Sequence, residues 1–203
     1  MVEDRKRFAA GVQRIDDANA EDPNVETHAG KRYPKELLYA QRMSEALKQL
    51  APDAPEAVQL AARAQHICRW KIPRDDYPKD RNGYRGWRTA LGRFHAETAG
   101  KILRETGYDE PAIERVQTLL RKERLKADPD TQLLEDVICL VFLEHYAEEF
   151  IHEHDEPKLI NIFRRTWNKM SPRGRQAALK LDLPGPVGTI VGKALAAAKN
   201  RSR

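Results

Sequence analysis

Apolar residues recur at intervals of three and four along most of this chain, and no segment alternates as a half-buried strand would. The pattern predicts an all-α protein. A first helix covers residues 4–20, and Glu21–Tyr33 reads as a loop rich in turn formers. Pro34 opens a helix to about Leu50 with the stripe Ala40, Met43, Leu47 and Leu50, and Glu36 lies on that stripe one turn upstream. A small-residue helix runs from Glu56 to Trp70 and is closed by Pro73. Lys71–Gly86, with Pro73, Pro78 and Gly83, has no usable period and reads as a structured loop. Helices follow from Trp87 to Thr106, with Leu91, His95, Thr98 and Ile102 on one face, and from Ile113 to about Lys126. Thr131–Ile151 is the most apolar segment, with Leu133, Val137, Leu140 and Ala147 flanking the line of Asp136, and is expected at the centre. Leu159, Ile160, Phe163 and Trp167 mark another helix, and Ser171–Pro172 start a short one to Leu181. A last helix spans Pro186–Asn200, with Arg201–Arg203 expected to fray.

With 203 residues, 40% of them hydrophobic, the chain can bury one sizeable core. The expected organisation is a core over 1–155, with the helices of 156–203 packed on it as part of one domain. No apolar run approaches the roughly 18–20 residues of a membrane span, and MVEDRKRFAA lacks the apolar stretch of a secretory signal. A soluble, cytoplasmic protein with no membrane partner is the expectation. Cys68 and Cys139 lie in apolar helical sequence without ligand spacing and are expected as buried free thiols.

The candidate chemistry lies in ionisable residues placed on apolar stripes: Glu36, His66, His95 and Asp136, each on a different predicted helix. Desolvating such groups costs roughly several kcal/mol unless a metal, a proton or an opposite charge compensates. Imidazole and carboxylate converging from separate helices is the donor set of a divalent-metal site, with Glu123 as a possible fifth contributor. A second cluster follows: His66, Arg69 and Trp70 share a helix face, and Arg74, Tyr77, Tyr84, Trp87 and Arg88 add guanidinium forks and flat rings. These grip phosphate and stack on planar groups, or staple a long loop in place. The net charge of +5 is mild, although basic residues crowd Arg63–Arg93, so RNA or DNA binding through that surface stays a weaker alternative.

The order of elements resembles the HD superfamily of metal-dependent phosphohydrolases over about residues 34–150. Ala61–Ile67 is similar to the helix that ends in the superfamily's His-Asp pair, His95–Ala99 to its later His helix, and Leu133–Val137 to its closing Asp segment. Glu36 stands where the first His would fall and Ile67 where the pair's Asp would fall. Nearly the whole chain resembles the domain-of-unknown-function family 4202. The carrying residues are Asp22–Asn24, Pro34–Ala40 with Arg42–Met43, Gln65–Trp70, Pro73–Arg74, Tyr77–Pro78, Gly83–Tyr84 with Trp87–Arg88, His95, and Leu134–Val137 with Phe142–Glu144. That second resemblance implies no particular activity.

The first implies an HD-domain-like helical bundle with extra C-terminal helices. Its expected activity is metal-dependent hydrolysis of a small phosphorylated compound or nucleotide. His66, His95 and Asp136 would hold manganese, iron or magnesium, with Glu36 as ligand or base. Arg69, Trp70, Arg74, Tyr77, Tyr84, Trp87 and Arg88 would bind the substrate. The alternative is a non-catalytic module that has lost the metal and still binds an anionic, phosphorylated ligand.

Overall fold

The computed structural model describes residues 2–199, so Asn200 and the expected frayed end Arg201–Arg203 lie outside the described residues. The chain is all-α, as its periodicity indicates, and it divides into two compact units, Met1–Thr131 and Gln132–Arg203.

In the first unit, α1 (Val2–Ala20) leads into two short strands, β1 (Val25–His28) and β2 (Lys31–Pro34), and then α2 (Lys35–Leu50). The strands pair antiparallel, Val25 with Pro34 through His28 with Lys31. The sequence pattern predicts a loop here, not strands. Glu26, Thr27, His28, Lys31 and Arg32 give no apolar alternation, and the hairpin is made instead by its two-residue turn, where Ala29 and Gly30 both have positive φ (48° and 75°). Asp22, itself buried, accepts from the backbone of Asn24 (2.9 Å) and of Glu36 (3.0 Å), so it caps α2 from across the hairpin.

Next, α3 (Glu56–Arg63) ends seven residues earlier than its sequence suggests. Cys68 takes the left-handed conformation (φ 51°) and its N–H is captured by Asn19 Oδ1 at 3.0 Å, which diverts the chain into short 3₁₀ turns at Arg69–Lys71 and Arg74–Asp76. α4 (Arg81–Glu105) starts six residues early because Asp80 caps it, accepting from Gly83 N at 2.7 Å. α5 (Glu110–Leu120) stops before Lys122, Arg124 and Lys126, three non-glycine residues with φ of 56°, 58° and 78°. Ile15, Met43, Leu60, Ile67, Leu91, Leu103, Ile113 and Leu119 fill the core of this unit.

α6 (Pro129–Val141) carries the chain into the second unit and passes through a π-helical turn, Phe142–Tyr146, into α7 (Ala147–His152). α8 (Glu156–Lys169), α9 (Pro172–Ala178) and α10 (Gly185–Lys199) complete it. Asp155 and Ser171 cap α8 and α9, each followed within two residues by a proline in the first turn. Phe142 packs on Phe163 and Phe150, with ring centroids 5.7 and 5.5 Å apart. Both cysteines are free and buried, and among the described residues no helix is long and apolar enough to cross a membrane.

Candidate functional site

Glu36, His66 and Arg69 meet inside the first unit. The first turn of α2 supplies Glu36, and the irregular chain after α3 supplies the other two. The left-handed Cys68 turns the backbone so that Arg69 folds back over His66. Arg69 Nη1 lies 3.1 Å from His66 Nε2, and a guanidinium can only donate, so Nε2 is the acceptor. The ring proton therefore sits on Nδ1 and is donated to Glu36 Oε2, 3.1 Å away. Tyr39 stacks flat on the imidazole, with centroids 3.9 Å apart and 10° between planes. Arg69 Nε lies 3.8 Å from Glu36 Oε1, and its guanidinium rests over Trp87 at 4.8 Å.

Burial dominates the electrostatics of this group. It pushes the Glu36 carboxyl up to about 7, against the opposing pull of Arg69. It drives His66 well below the usual imidazole range, with the charges of Arg69 and Arg88 acting in the same direction. His95 is only 3% exposed, and burial, Arg69, Arg88 and Lys122 push it down to about 3. Both imidazoles are neutral at physiological pH. His95 donates one ring N–H to the main-chain carbonyl of Gln65, and its Nε2 is buried with no hydrogen-bond partner among the described residues. That leaves Nε2 as a bare lone pair.

His66 and His95, with ring centroids 6.0 Å apart, form one wall of a cavity of about 390 Å³. Gln65 also lines it, and Gln65 Oε1 is likewise buried with no partner among the described residues. α4, which carries His95, also supplies Arg88, Gly92 and Arg93 to the lining, and the segment after α5 supplies Arg121, Lys122 and Glu123. Arg121 is engaged, since its Nε reaches Glu123 Oε1 at 2.6 Å and its Nη2 reaches Glu114 Oε1 at 2.7 Å. Arg88 and Arg93 meet no carboxylate among the described residues. The cavity therefore presents two uncompensated guanidinium groups and two neutral imidazoles.

Arg88 lines this cavity, as the sequence suggested, and Glu36, His66, His95 and Arg69 gather behind or along it. Among the other expected substrate-binding residues, Arg74 and Trp87 hold the loop that follows α3. Arg74 donates to the carbonyls of Tyr77 (2.8 Å) and Pro78 (2.7 Å), and Trp87 Nε1 donates to Ile72 O (3.0 Å), so both staple the 71–80 loop. Gly83 packs beneath the same loop, where a Cβ would fall 2.1 Å from Pro78 O. Tyr84 is half exposed with its ring 5.9 Å from that of Trp87, Trp70 lies 5.9 Å beneath the Lys71 ammonium, and the Tyr77 side chain packs near Gly86.

Asp136 belongs to the second unit. Its Oδ1 accepts from Ser171 N (2.7 Å) and Gln132 Nε2 (3.0 Å), and its Oδ2 accepts from Ser171 Oγ. Those bonds fasten the start of α9, and Gly174 is required there because a Cβ would lie 2.5 Å from the Asp136 carboxyl carbon.

Gln65, Gly92, Arg93 and Lys122 were not singled out as ligands from sequence. The available signal was the set Arg88, Gly92 and His95 at i, i+4 and i+7, which puts a cation, a gap and an imidazole on one helix face.

As arranged, these donors do not fit a divalent ion. One nitrogen of His66 is committed to Glu36, and the other faces a guanidinium that repels a cation. The Asp136 oxygens already accept three hydrogen bonds. Among the described residues, no group of three or more His, Cys, Asp or Glu side chains can hold a metal ion.

Fold and cavity together define an all-α protein with a cationic pocket walled by uncharged histidines. The chain belongs to the family described as Domain of unknown function (DUF4202), whose model matches residues 9–191. No curated protein and no solved structure matches it.

Proposed function

We propose that the first unit binds a small phosphorylated compound in the cavity beside His66 and His95, with the phosphate held by Arg88 and Arg93. The observation that carries this reading is the pair of arginines bordering the cavity without a carboxylate partner. Two uncompensated positive charges match a phosphomonoester, which carries about −1.5 to −2 charges near neutral pH. Guanidinium forks hold its oxygens through paired donors. The imidazoles stay neutral in that field, so they line the pocket without adding charge, and the volume lies within the roughly 300–1,000 Å³ of small-molecule sites. A non-catalytic binding role accords better with these donors than metal-dependent hydrolysis does, because the nitrogen His66 would offer a metal is held by Arg69.

Calorimetric titration with ethyl phosphate at pH 7.5 tests the reading. Saturable one-to-one binding is expected, weakening with added salt and weakening about tenfold or more in Arg88→Met, as loss of a charge-assisted hydrogen bond implies. Binding that appears only with added manganese, iron or magnesium, or that Arg88→Met leaves unchanged, would contradict it.

A further inference from the structure

The face of α4 that reaches the cavity continues back toward the start of the helix. Arg81, Arg85, Arg88 and Gly92 recur at intervals of four, three and four residues, so they form one line along that face, with Tyr84 beside it. At a rise of about 1.5 Å per residue, Arg85 stands about 6 Å along the axis from Arg81 and Arg88 about 4.5 Å further on. Arg88 is the point at which α4 begins to line the cavity. Arg81, Tyr84 and Arg85 are exposed, Arg88 is partly so, and Thr89 and Arg93 are the exposed residues that α4 adds to the lining. From Arg81 to Ala96 the helix carries four arginines and no carboxylate, and none of the four guanidinium groups meets a carboxylate among the described residues. A helix face that meets only water gains support from mixed signs at i, i+4, and this one forgoes it. Val25, Tyr84 and Leu179 are the large apolar side chains left exposed among the described residues, and Tyr84, 51% exposed, is the one set in a line of cations.

We propose that the phosphate site is the end of a track for single-stranded nucleic acid. The strand's terminal phosphate enters the cavity at Arg88 and Arg93, its next phosphates lie along Arg85 and Arg81, and a base stacks on Tyr84. This inference rests on the phosphate-binding reading above and identifies the phosphorylated compound as a strand end. A row of cations that follows a sugar-phosphate backbone, with an aromatic ring as a stacking platform, is the combination that holds unpaired strands without reading their sequence. A duplex does not suit it, because paired and stacked bases offer no free face to Tyr84. A free sugar phosphate would engage only the cavity and leave Arg81 and Arg85 unused.

The test is calorimetry on the full chain with ethyl phosphate and with a thymidine hexanucleotide bearing a phosphate at its 5′ end, at its 3′ end or at neither. One of the two phosphorylated strands is expected to bind about tenfold or more tightly than both the unphosphorylated strand and ethyl phosphate. With about three phosphates engaged, the logarithm of its affinity should fall against the logarithm of salt concentration with a slope of about −2. The double variant Arg81→Gln/Arg85→Gln should flatten that slope to about −0.7, and Tyr84→Ala should weaken the strand about tenfold. Neither variant should change ethyl phosphate binding by more than about twofold, and all three side chains are exposed, so the fold tolerates their replacement. If ethyl phosphate binds but the strand binds no more tightly, or binds equally with and without a terminal phosphate, this inference is overturned and the phosphate-binding reading stands. A phosphorylated blunt duplex that binds as tightly as the single strand would also overturn it. Binding of none of these compounds would overturn both readings.

Discussion

Lowering the pH from 7 to 4 will raise the stability of His95→Phe relative to the parent protein by about 3 kcal/mol. The parent buries His95 uncharged and holds it down to about 3, whereas the same imidazole in the unfolded chain titrates near its ordinary value of 6.5. Between those two values the unfolded state takes up a proton that the folded state refuses. The stabilisation is therefore complete above about 6.5 and drains away as the pH falls toward 3. His66, also pushed below its ordinary range, acts in the same direction. Glu36 acts in the opposite one: raised to about 7, it favours the folded state at low pH and loses that contribution as the pH climbs from 4.5 through 7. Comparing parent and variant cancels these shared contributions to first order. The measurement is the urea unfolding midpoint of each protein at several pH values. A difference that does not change with pH would show that His95 is charged or solvated in the folded state.

Arg69→Met is expected to destabilise the protein by about 4 kcal/mol at pH 8, and by about 1 kcal/mol less at pH 5. The guanidinium does three things at once: it donates to His66 Nε2, sits 3.8 Å from the buried Glu36 carboxylate and covers the Trp87 face. Without it, buried Glu36 loses its strongest cationic partner, and His66 Nε2 loses its donor. The Glu36 ionisation shifts further upward, so the loss grows with pH as the parent's carboxylate becomes charged. Methionine fills much of the space over the indole, which separates the lost charge from lost packing. Equilibrium unfolding at the two pH values reads both parts. A loss below about 1 kcal/mol at pH 8, or one that is larger at pH 5, would remove Arg69 from the centre of the site.

The sequence makes several helix starts legible from a local proline or cap. Pro34 and Ser171–Pro172 each mark a start within a residue or two of where it falls. It also groups Glu36 with His66, because an ionisable residue on an apolar stripe must find a partner, and puts Arg69 on the same helix face as His66 in a separate set. The early start of α4 comes from a local cap that periodicity overlooks, Asp80 on Gly83 N, whereas the end of α3 and the hairpin are set by partners distant in sequence. Asn19 captures the Cys68 backbone 49 residues away, which ends the α3 region early, and Asp22 reaches Glu36 across a hairpin whose strands are polar.

Asp136 is a burial argument half right: it is buried on its apolar stripe, and its compensating donors come from Ser171, 35 residues on. Arg74 shows the limit for arginines. Nothing in its spacing distinguishes a phosphate ligand from a staple for two loop carbonyls. The pairing of Arg88 with the wall of His95 and Gln65 depends on α4 packing beside the turn after α3, and helix periodicity carries no information on that.

The most direct test of the proposed phosphate site is an NMR titration of isotopically labelled protein with ethyl phosphate, following backbone amides and the histidine and arginine side chains. Saturable shifts concentrated at Arg88, Gly92, Arg93, Lys122 and the His95 ring, with the Arg88 Nε resonance among the largest, are the predicted result. Shifts that map to another surface, or an absence of saturation at millimolar ligand, would contradict the assignment of this cavity.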